Sequence, residues 1–269
     1  MTMHPFDAAI ALAARPEGGW LGHTSTAYGN MVGPFGGITA AQALQTVMLD
    51  ASRQGEPVAL TVNFCAPLDA GEFVATARAV RTNRSTQHWI VELQQQGQTC
   101  VSATVFTALR RQTWAVDEHP PPPVQPPQAV PPARMPAPVA WIDRYEMRFL
   151  EGALGGAADG AERPSSRTRL WVRDAPPRPL DATSLVALAD VFYPRIFRRR
   201  ARMVPAGTVS MTVHLHADAP ALAAAGEGWL LAQAQAQGFR SGYFDQSAQL
   251  WSESGVLLAT SLQTVYYKD

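Results

Sequence analysis

Only two of the 269 residues are cysteine, Cys65 and Cys100. Neither belongs to a CxxC pair or has zinc-ligand spacing, and a chain of this length does not depend on a disulfide framework. Both lie in strand-like segments, where buried thiols are expected. An excess of charge is also missing, because 22 basic side chains balance 22 acidic ones. No global field is present to draw in nucleic acid. No uninterrupted apolar run reaches the roughly 18 residues of a membrane span. The apolar stretch in "MTMHPFDAAIALAARPEGG" lacks the basic segment that precedes a secretory signal core. A cytoplasmic protein with neither nucleic acid nor membrane as partner is expected.

Metal-ligand and nucleophile patterns are equally scarce. His214 and His216 alternate onto one strand face, but His4, His23, His88 and His119 have no ligand-like spacing with them, and Asp218 alone is a weak third ligand. No metal is expected. A serine or cysteine nucleophile would need a partner histidine and a strained elbow such as GxSxG, and neither pattern is present.

What the sequence has in abundance is proline, concentrated in "EHPPPPVQPPQAVPPARMPAP" at 118–138. Such a segment forms neither helix nor central strand and should run extended along the surface. It divides the chain into an N-terminal domain, 1–111, a linker, 112–138, and a C-terminal domain, 139–269. Before it, "GPFGGITAAQALQTVMLDAS" has Ala40, Ala43, Leu44, Val47 and Met48 at helical spacing, and four strand-like runs follow. After it come strand-like runs around "WIDRYEMRFL" and "TRLWVRD", a second helix in "SLVALADVFYP", and four more strands. The halves also match locally. "VALTVNFCAP" aligns with "VSMTVHLHAD", which puts Thr61 on Thr212, and "GQTCVSATVF" aligns with "GVLLATSLQT". This is the pattern of an internal duplication. A helix followed by four antiparallel strands is buried only if the sheet curls around it, so the expected class is α+β, with two such units joined edge to edge as a pseudo-dimer.

The second helix contains a chemical puzzle. It is apolar nearly all round, which predicts burial, yet it includes Asp190. A buried carboxylate without partners costs several kcal/mol or becomes neutral, so Asp190 either has donors nearby or has a chemical task.

"YGNMVGPFGGITAAQAL" and "GVLLATSLQTVYY" together resemble the double-hotdog acyl-CoA thioesterases, the family of bacterial thioesterase II. The resemblance covers nearly the whole chain. It implies a double hotdog in which an aspartate, a threonine and a glutamine of the second unit hold the water that hydrolyses an acyl-CoA thioester to free acid and coenzyme A. No cofactor and no covalent intermediate are implied. Position by position, these residues fall on Asp190, Thr208 and Gln263. Gln263 shares strand parity with Leu257, Ala259 and Ser261, whereas Thr208 shares it with Ser210, Thr212 and His214 rather than with Met211 and Val213. A regular strand would therefore turn Thr208 away, and a bulge near Gly207 would re-aim it.

Three further features remain open between two roles. Gly36 and Gly37 could polarise a thioester carbonyl with the N-H groups at the start of the first helix, or simply serve a tight turn. Asn30 could cap that helix or contact ligand. Arg198, Arg199 and Arg200, within a cluster that also includes Arg195 and Arg202, could meet the phosphates of coenzyme A or form a solvated basic loop. The expected state is a homodimer or higher homo-oligomer with acyl-CoA as substrate and a place in fatty acid metabolism. The competing functions are a non-catalytic acyl-CoA binder and a hotdog enoyl-CoA hydratase or dehydratase. The latter chemistry uses a histidine, which the set Asp190, Thr208 and Gln263 lacks.

Overall fold

A computed structural model describes residues 3–133, 139–154 and 159–268. A short first helix, α1 (Pro5–Ala9), begins where His4 Nδ1 accepts the Phe6 N-H. The glycine-rich entry then opens α2 (Gly36–Met48), whose residues from Gly37 to Leu44 are all buried. An alanine-rich helix of this kind can be approached from every side, so it serves as the axle around which strands close. Six strands belong to this half: β1 (Ala13–Ala14), β2 (Trp20–His23), β3 (Glu56–Phe64), β4 (Glu72–Thr82), β5 (Thr86–Gln95) and β6 (Gln98–Ala108).

Beyond the proline-rich segment come β7 (Tyr145–Glu151), β8 (Thr168–Asp174), α3 (Ala182–Leu188) and α4 (Arg195–Arg199). They are followed by β9 (Ala206–Leu215), α5 (Ala219–Ala225), β10 (Leu230–Gln235), β11 (Phe239–Arg240), β12 (Tyr243–Ser252) and β13 (Leu257–Tyr267). The strands form one antiparallel sheet in the order β1-β2-β4-β5-β6-β3-β9-β13-β12-β10-β8-β7, with β11 paired to β12. Period-two burial sets its two faces. On β5 the inward side chains are Gln87, Trp89, Val91 and Leu93, while His88 and Ile90 point outward. The inward residues pack on α2 and α3, which touch each other inside the sheet.

The join between β3 and β9 is antiparallel and places Thr61 opposite Thr212, their hydroxyls 3.0 Å apart. These are the two threonines that the sequence aligns with each other. The two segments that match in sequence are thus the two that pair across the middle of the sheet. The same relation holds in the bulges. On β9, Ser210 faces Thr264 and Thr208 faces Val265, so Val209 is an extra residue. On β3, Ala59 faces Phe106 and Pro57 faces Thr107, so Val58, the residue aligned with Val209, is extra as well.

Four expectations need correction or completion. The run "WIDRYEMRFL" is only half strand, because Ala140–Arg144 forms a 3-10 turn before β7. Asp190 does not lie within a helix: α3 ends at Leu188, and the Asp190 N-H reaches only Ala187 O in a turn. Pro194 disfavours helical backbone at the preceding residue, which helps explain why the helix does not run on through the apolar sequence. Cys100 is buried, but Cys65 is exposed, because it lies just beyond the end of β3 where the chain leaves the sheet.

The proline-rich segment does run extended, apart from a 3-10 turn at Pro127–Ala129, but it is more than a spacer. It is strapped across the outer face of the second half. Trp171 Nε1 donates to Gln125 O and Trp251 Nε1 to His119 O, each at 2.9 Å. Val130 joins Trp171, Trp229, Leu231 and Trp251 in one cluster beneath it. Buried indoles need a hydrogen-bond acceptor, and the strap's free carbonyls supply it. The last five residues of the segment, 134–138, lie outside the described residues.

Candidate active site

The site forms where the start of α2 meets the turn after α3. Phe35 precedes α2, and its ring stacks on Trp141 at 4.4 Å between centroids and meets Tyr145 edge-on at 6.1 Å. This aromatic wall fixes the direction from which the Gly36 and Gly37 backbone enters the core. A Cβ on Gly36 would lie 2.8 Å from Asp190 Oδ2, and one on Gly37 would lie 2.6 Å from Ala187 O. Glycine is therefore required at this crossing for steric reasons, because any side chain would push the helix N-terminus off the acid. The Gly37 N-H is bonded to the Asp190 carboxylate, so a free donor at the positive end of α2 is spent on the buried acid.

Asp190 is 8% exposed. Its Oδ1 accepts a 2.7 Å hydrogen bond from Gln263 Nε2. Burial pushes the carboxyl up to about 7, and the bonds from Gln263 and Gly37 oppose that rise without cancelling it. The result is an acid poised to exchange a proton near neutrality. No arginine or lysine neutralises it in the manner of a structural ion pair; its partners among the described residues are an amide and a backbone N-H.

Gln263 is held from its other end. Thr208 Oγ1 donates to Gln263 Oε1 at 3.1 Å, and Met211 Sδ lies 3.5 Å from Nε2. The amide orientation follows, with the oxygen toward the threonine and the nitrogen toward the carboxylate. Thr208 reaches Gln263 because of the Val209 bulge. By parity Val209 would share the inner face with Met211, yet it is 39% exposed, and the extra residue shifts Thr208 to the side of Gln263. Asp190, Thr208 and Gln263 thus form one hydrogen-bonded chain, and Gly36 and Gly37 close it from the other half of the molecule.

The remaining predicted residues lie elsewhere. Asn30 is exposed in a turn, where its N-H donates to Gly33 O, and the N-cap of α2 is Phe35 with no side-chain cap. It does not cap the helix. The arginine cluster is not a solvated loop. Its first turn is α4, which packs Ile196 and Phe197 against Phe244 and Val265 near the Thr208 end of the sheet. Arg195 is fully buried, donating to Thr168 Oγ1 at 2.7 Å and Ser166 O at 3.1 Å, and desolvation pushes it down to about 10. It is a structural residue. Arg199 and Arg200 are partly exposed and both reach Glu162, at 3.1 and 3.9 Å. His214 is exposed, and His216 Nε2 lies 3.1 Å from Thr260 Oγ1 on the far side of the sheet from Asp190. Among the described residues no group of three or more His, Cys, Asp or Glu could hold a metal, and no helix is long and apolar enough to cross a membrane.

Sequence reasoning passed over two contributors. Met211 touches Gln263, and Tyr145 lies within electrostatic reach of the Asp190 charge. Met211 could have been found from its inward parity on β9. Tyr145 could not, because its place beside α2 depends on how β7 closes the edge of the sheet.

Comparison with known proteins agrees with this arrangement. Residues 26–108 match the family model for the acyl-CoA thioesterase N-terminal domain, and residues 117–267 match that for the acyl-CoA thioesterase C-terminal domain. No curated protein matches the chain. A conserved hot dog fold protein of unknown function from Alicyclobacillus acidocaldarius is 44% identical, covers 100% of this chain and 99% of its own, and superposes with a TM-score of 0.95. An acyl-CoA thioesterase II from Mycobacterium marinum shares the fold at 16% identity, with 98% of each chain covered and a TM-score of 0.74. The dehydratase domain of PpsC from Mycobacterium tuberculosis, solved with C12:1-CoA, shares it more distantly at 14% identity, 99% and 100% coverage and a TM-score of 0.55. With a hotdog sheet wrapped around its helices and both family domains matched in order, the chain belongs to the acyl-CoA thioesterase family.

Proposed function

We propose that the chain is a double hotdog, built from two duplicated domains at 1–111 and 139–269 joined by the segment 112–138, and that it hydrolyses acyl-CoA thioesters at the Asp190 site. The observation that carries this reading is the bond from Gln263 Nε2 to Asp190 Oδ1, made on an acid that burial has raised to about 7. The repeat reading is supported by the facing pair Thr61 and Thr212 and by the matched bulges at Val58 and Val209.

In this mechanism Asp190 accepts a proton from water as the water oxygen forms a bond to the thioester carbonyl carbon. Gln263 and Thr208 orient that water. The negative charge that develops on the carbonyl oxygen is met by the N-H groups and dipole at the start of α2, where Gly36 and Gly37 permit close approach. Collapse breaks the carbon-sulfur bond, and Asp190 returns its proton to the departing coenzyme A sulfur. The products are a free acid and a thiol, with no cofactor and no acyl-enzyme. Arg198, Arg199 and Arg200 lie beside the Thr208 end of the sheet and would meet the phosphates of coenzyme A, with Arg199 and Arg200 giving up their contacts with Glu162. Asn30, exposed in the turn ahead of α2, is assigned to the substrate's outer portion.

The test is thiol release from a panel of acyl-CoA chain lengths. The folded Asp190→Asn protein should lose roughly two or more orders of magnitude in kcat, the usual scale for a general base. Because Asp190 and Gln263 would hold one water, Asp190→Asn combined with Gln263→Ala should be little worse than the more damaged single variant. Replacing Arg198, Arg199 and Arg200 by alanine should raise KM for acyl-CoA more than for a short acyl-pantetheine thioester. Wild-type turnover in the asparagine variant would make Asp190 a structural acid. Binding without thiol release by the native chain would make the protein a non-catalytic acyl-CoA binder.

A further inference from the structure

Behind the aromatic wall of the site lies a buried polar cluster that the proposed chemistry leaves unused. Tyr145 opens β7 opposite Asp174 at the end of β8, so both side chains enter the inner side of the sheet. The ring of Tyr28 meets that of Tyr145 edge-on at 6.2 Å between centroids. Tyr28, Tyr145 and Asp174 are 0%, 5% and 4% exposed. Yet Tyr28 Oη, Tyr145 Oη and Asp174 Oδ1 have no hydrogen-bond partner among the described residues. Only Asp174 Oδ2 has one, a 2.5 Å bond donated by Ser184 Oγ in the first turn of α3. The Asp174 charge acts on both phenols, so the three oxygens share one neighbourhood. Leaving one such buried atom unpaired costs about 1–3 kcal/mol, and three together call for a group to bind. Burial raises both tyrosines, which therefore keep their protons and can donate. Burial also pushes Asp174 up to about 6, so at neutral pH it is mostly an ionised acceptor. A cation would meet Arg144 and Arg178, which act on the same phenol of Tyr28, and an anion would meet Asp174. A neutral hydroxyl fits both demands, accepting from a phenol and donating to the carboxylate.

We infer that Tyr28, Tyr145 and Asp174 receive a hydroxyl carried on the acyl chain of the substrate, so that the site selects acyl-CoA of medium length hydroxylated toward its distal end. The inference rests on the reading of Asp190 as the thioester site. The cluster adjoins that site through Tyr145, whose ring Phe35 meets beside Gly36 and on which the Asp190 charge also acts. Asp174 is tied to Ser184 at the start of α3 and Asp190 follows the end of that helix, so the two acids are roughly 9 Å apart along its axis. That span takes about seven extended carbon-carbon bonds, which puts the hydroxyl well beyond the β-carbon. An unsubstituted chain of this length would leave the three oxygens against methylenes. A site built to hydrogen-bond a hydroxyl rejects the analogue without it far more strongly than an apolar pocket rejects a missing methylene.

The experiment is isothermal titration calorimetry of the full chain with S-alkyl-CoA thioethers, which cannot be hydrolysed. They are used in pairs of equal length, about six to ten carbons, with and without a terminal hydroxyl. At the fitting length the hydroxylated member should bind the native chain about tenfold or more tighter. Tyr145→Phe and Tyr28→Phe keep the ring and remove the phenol, and each should bring the ratio of the two affinities toward one. A merely structural tyrosine would alter both affinities alike and leave the ratio where it was. A native ratio of one or less at every length would overturn the inference, the cluster then holding water alone. So would an unchanged ratio in both phenylalanine variants. Because binding is read without turnover, the outcome is separable from the Asp190 reading. Thiol release from unsubstituted acyl-CoA together with a ratio of one would overturn only the hydroxyl preference, and a high ratio without thiol release only the hydrolysis. Failure of every analogue to bind would overturn both.

Discussion

The two halves carry different chemistry at positions that their strand registers make equivalent. Met211 on β9 faces Gln263 on β13, and the corresponding pair on β3 and β6 is Leu60 and Val105. Thr208, aimed by the Val209 bulge, corresponds to Pro57 beside the Val58 bulge. The first half thus keeps the backbone device and fills it with side chains that cannot donate or accept. Its helix α2 has no carboxylate anywhere from Gly36 to Met48. What the first half retains is the glycine-rich helix start that α3 lacks: α3 begins with Asp181, whose side chain caps its own helix by accepting from Ser184 N at 2.8 Å. In the proposed mechanism the halves divide the work, one supplying a helix N-terminus whose Gly37 N-H is turned to the acid and the other the acid with Gln263 and Thr208. The difference teaches that a helix N-terminus is useful to a neighbour only if its own cap residue leaves the donors free.

The most severe way to break the comparison is to give the second half the residue of the first. Gln263→Val should abolish most thiol release, with a loss of roughly two orders of magnitude or more, because it removes the donor that holds Asp190 and the amide that meets Thr208. Thr208→Val keeps shape and loses only the hydroxyl, so a smaller loss of about tenfold is expected from steady-state kinetics. If both variants turned over as the native chain does, the hydrogen-bonded chain would be structural.

The pH profile sharpens the same point. Asp190 acts as a base only when ionised, so kcat should fall as pH drops through about 7, the value set chiefly by burial. The bond from Gln263 lowers that value, so a Gln263→Ala protein with residual activity should show its acid limb displaced to higher pH. An unchanged or lowered limb would separate Gln263 from the ionisation of Asp190.

The reverse exchange tests stability rather than rate. Val105 is buried at 2% exposure on the inner face of β6, where no partner corresponding to Asp190 or Thr208 awaits an amide. Val105→Gln should leave thiol release at its native level and cost about 1–3 kcal/mol in denaturant unfolding, the penalty of burying polar atoms without hydrogen bonds. A gain of activity would mean that the first half needs only the glutamine to act.

How far the residues alone announced this arrangement depends on the kind of signal. Strand alternation and the matched segments around Thr61 and Thr212 were legible because burial in a sheet repeats every second residue and because the two matching runs lie side by side as β3 and β9. Asp190 was conspicuous because a lone acid in an apolar run violates the ordinary pattern of burial. Its position just past the end of α3 was not legible, since helix ends depend on capping and on the Pro194 constraint together. Thr208 was ambiguous for a definite reason. Parity counts residues, and a bulge changes the count by one without any mark in composition. The strap was visible as proline but not as a cover, because the three tryptophans in the cluster beneath it, Trp171, Trp229 and Trp251, come from sequence 53 to 133 residues beyond its start at residue 118. Arg195 looked like one of five equivalent arginines, and only the fold reveals that it is fully buried while Arg199 and Arg200 face Glu162.

The smallest expected effect is also the one that most cleanly separates folding from function at Asp190. Burial raises its folded-state value from 3.8 to about 7. Between those two values the folded chain binds a proton at Asp190 that the unfolded chain has released, so the contribution of this group to stability is full below about pH 4, declines as pH rises and is lost once the carboxylate is ionised above 7. The second half therefore keeps an ionised, desolvated acid at the pH where it would work, at a cost in stability that α2 never meets. Asp190→Asn removes the ionisation while preserving shape and hydrogen-bonding capacity. Its melting temperature should exceed that of the native chain by a few degrees at pH 8, and the advantage should shrink toward zero near pH 4. The same protein should be nearly inactive, so a gain in Tm and a loss in kcat would come from one substitution. If the asparagine variant were instead less stable at pH 8, the ionised carboxylate would be contributing favourably to the fold, and its bonds to Gln263 and Gly37 would outweigh its burial.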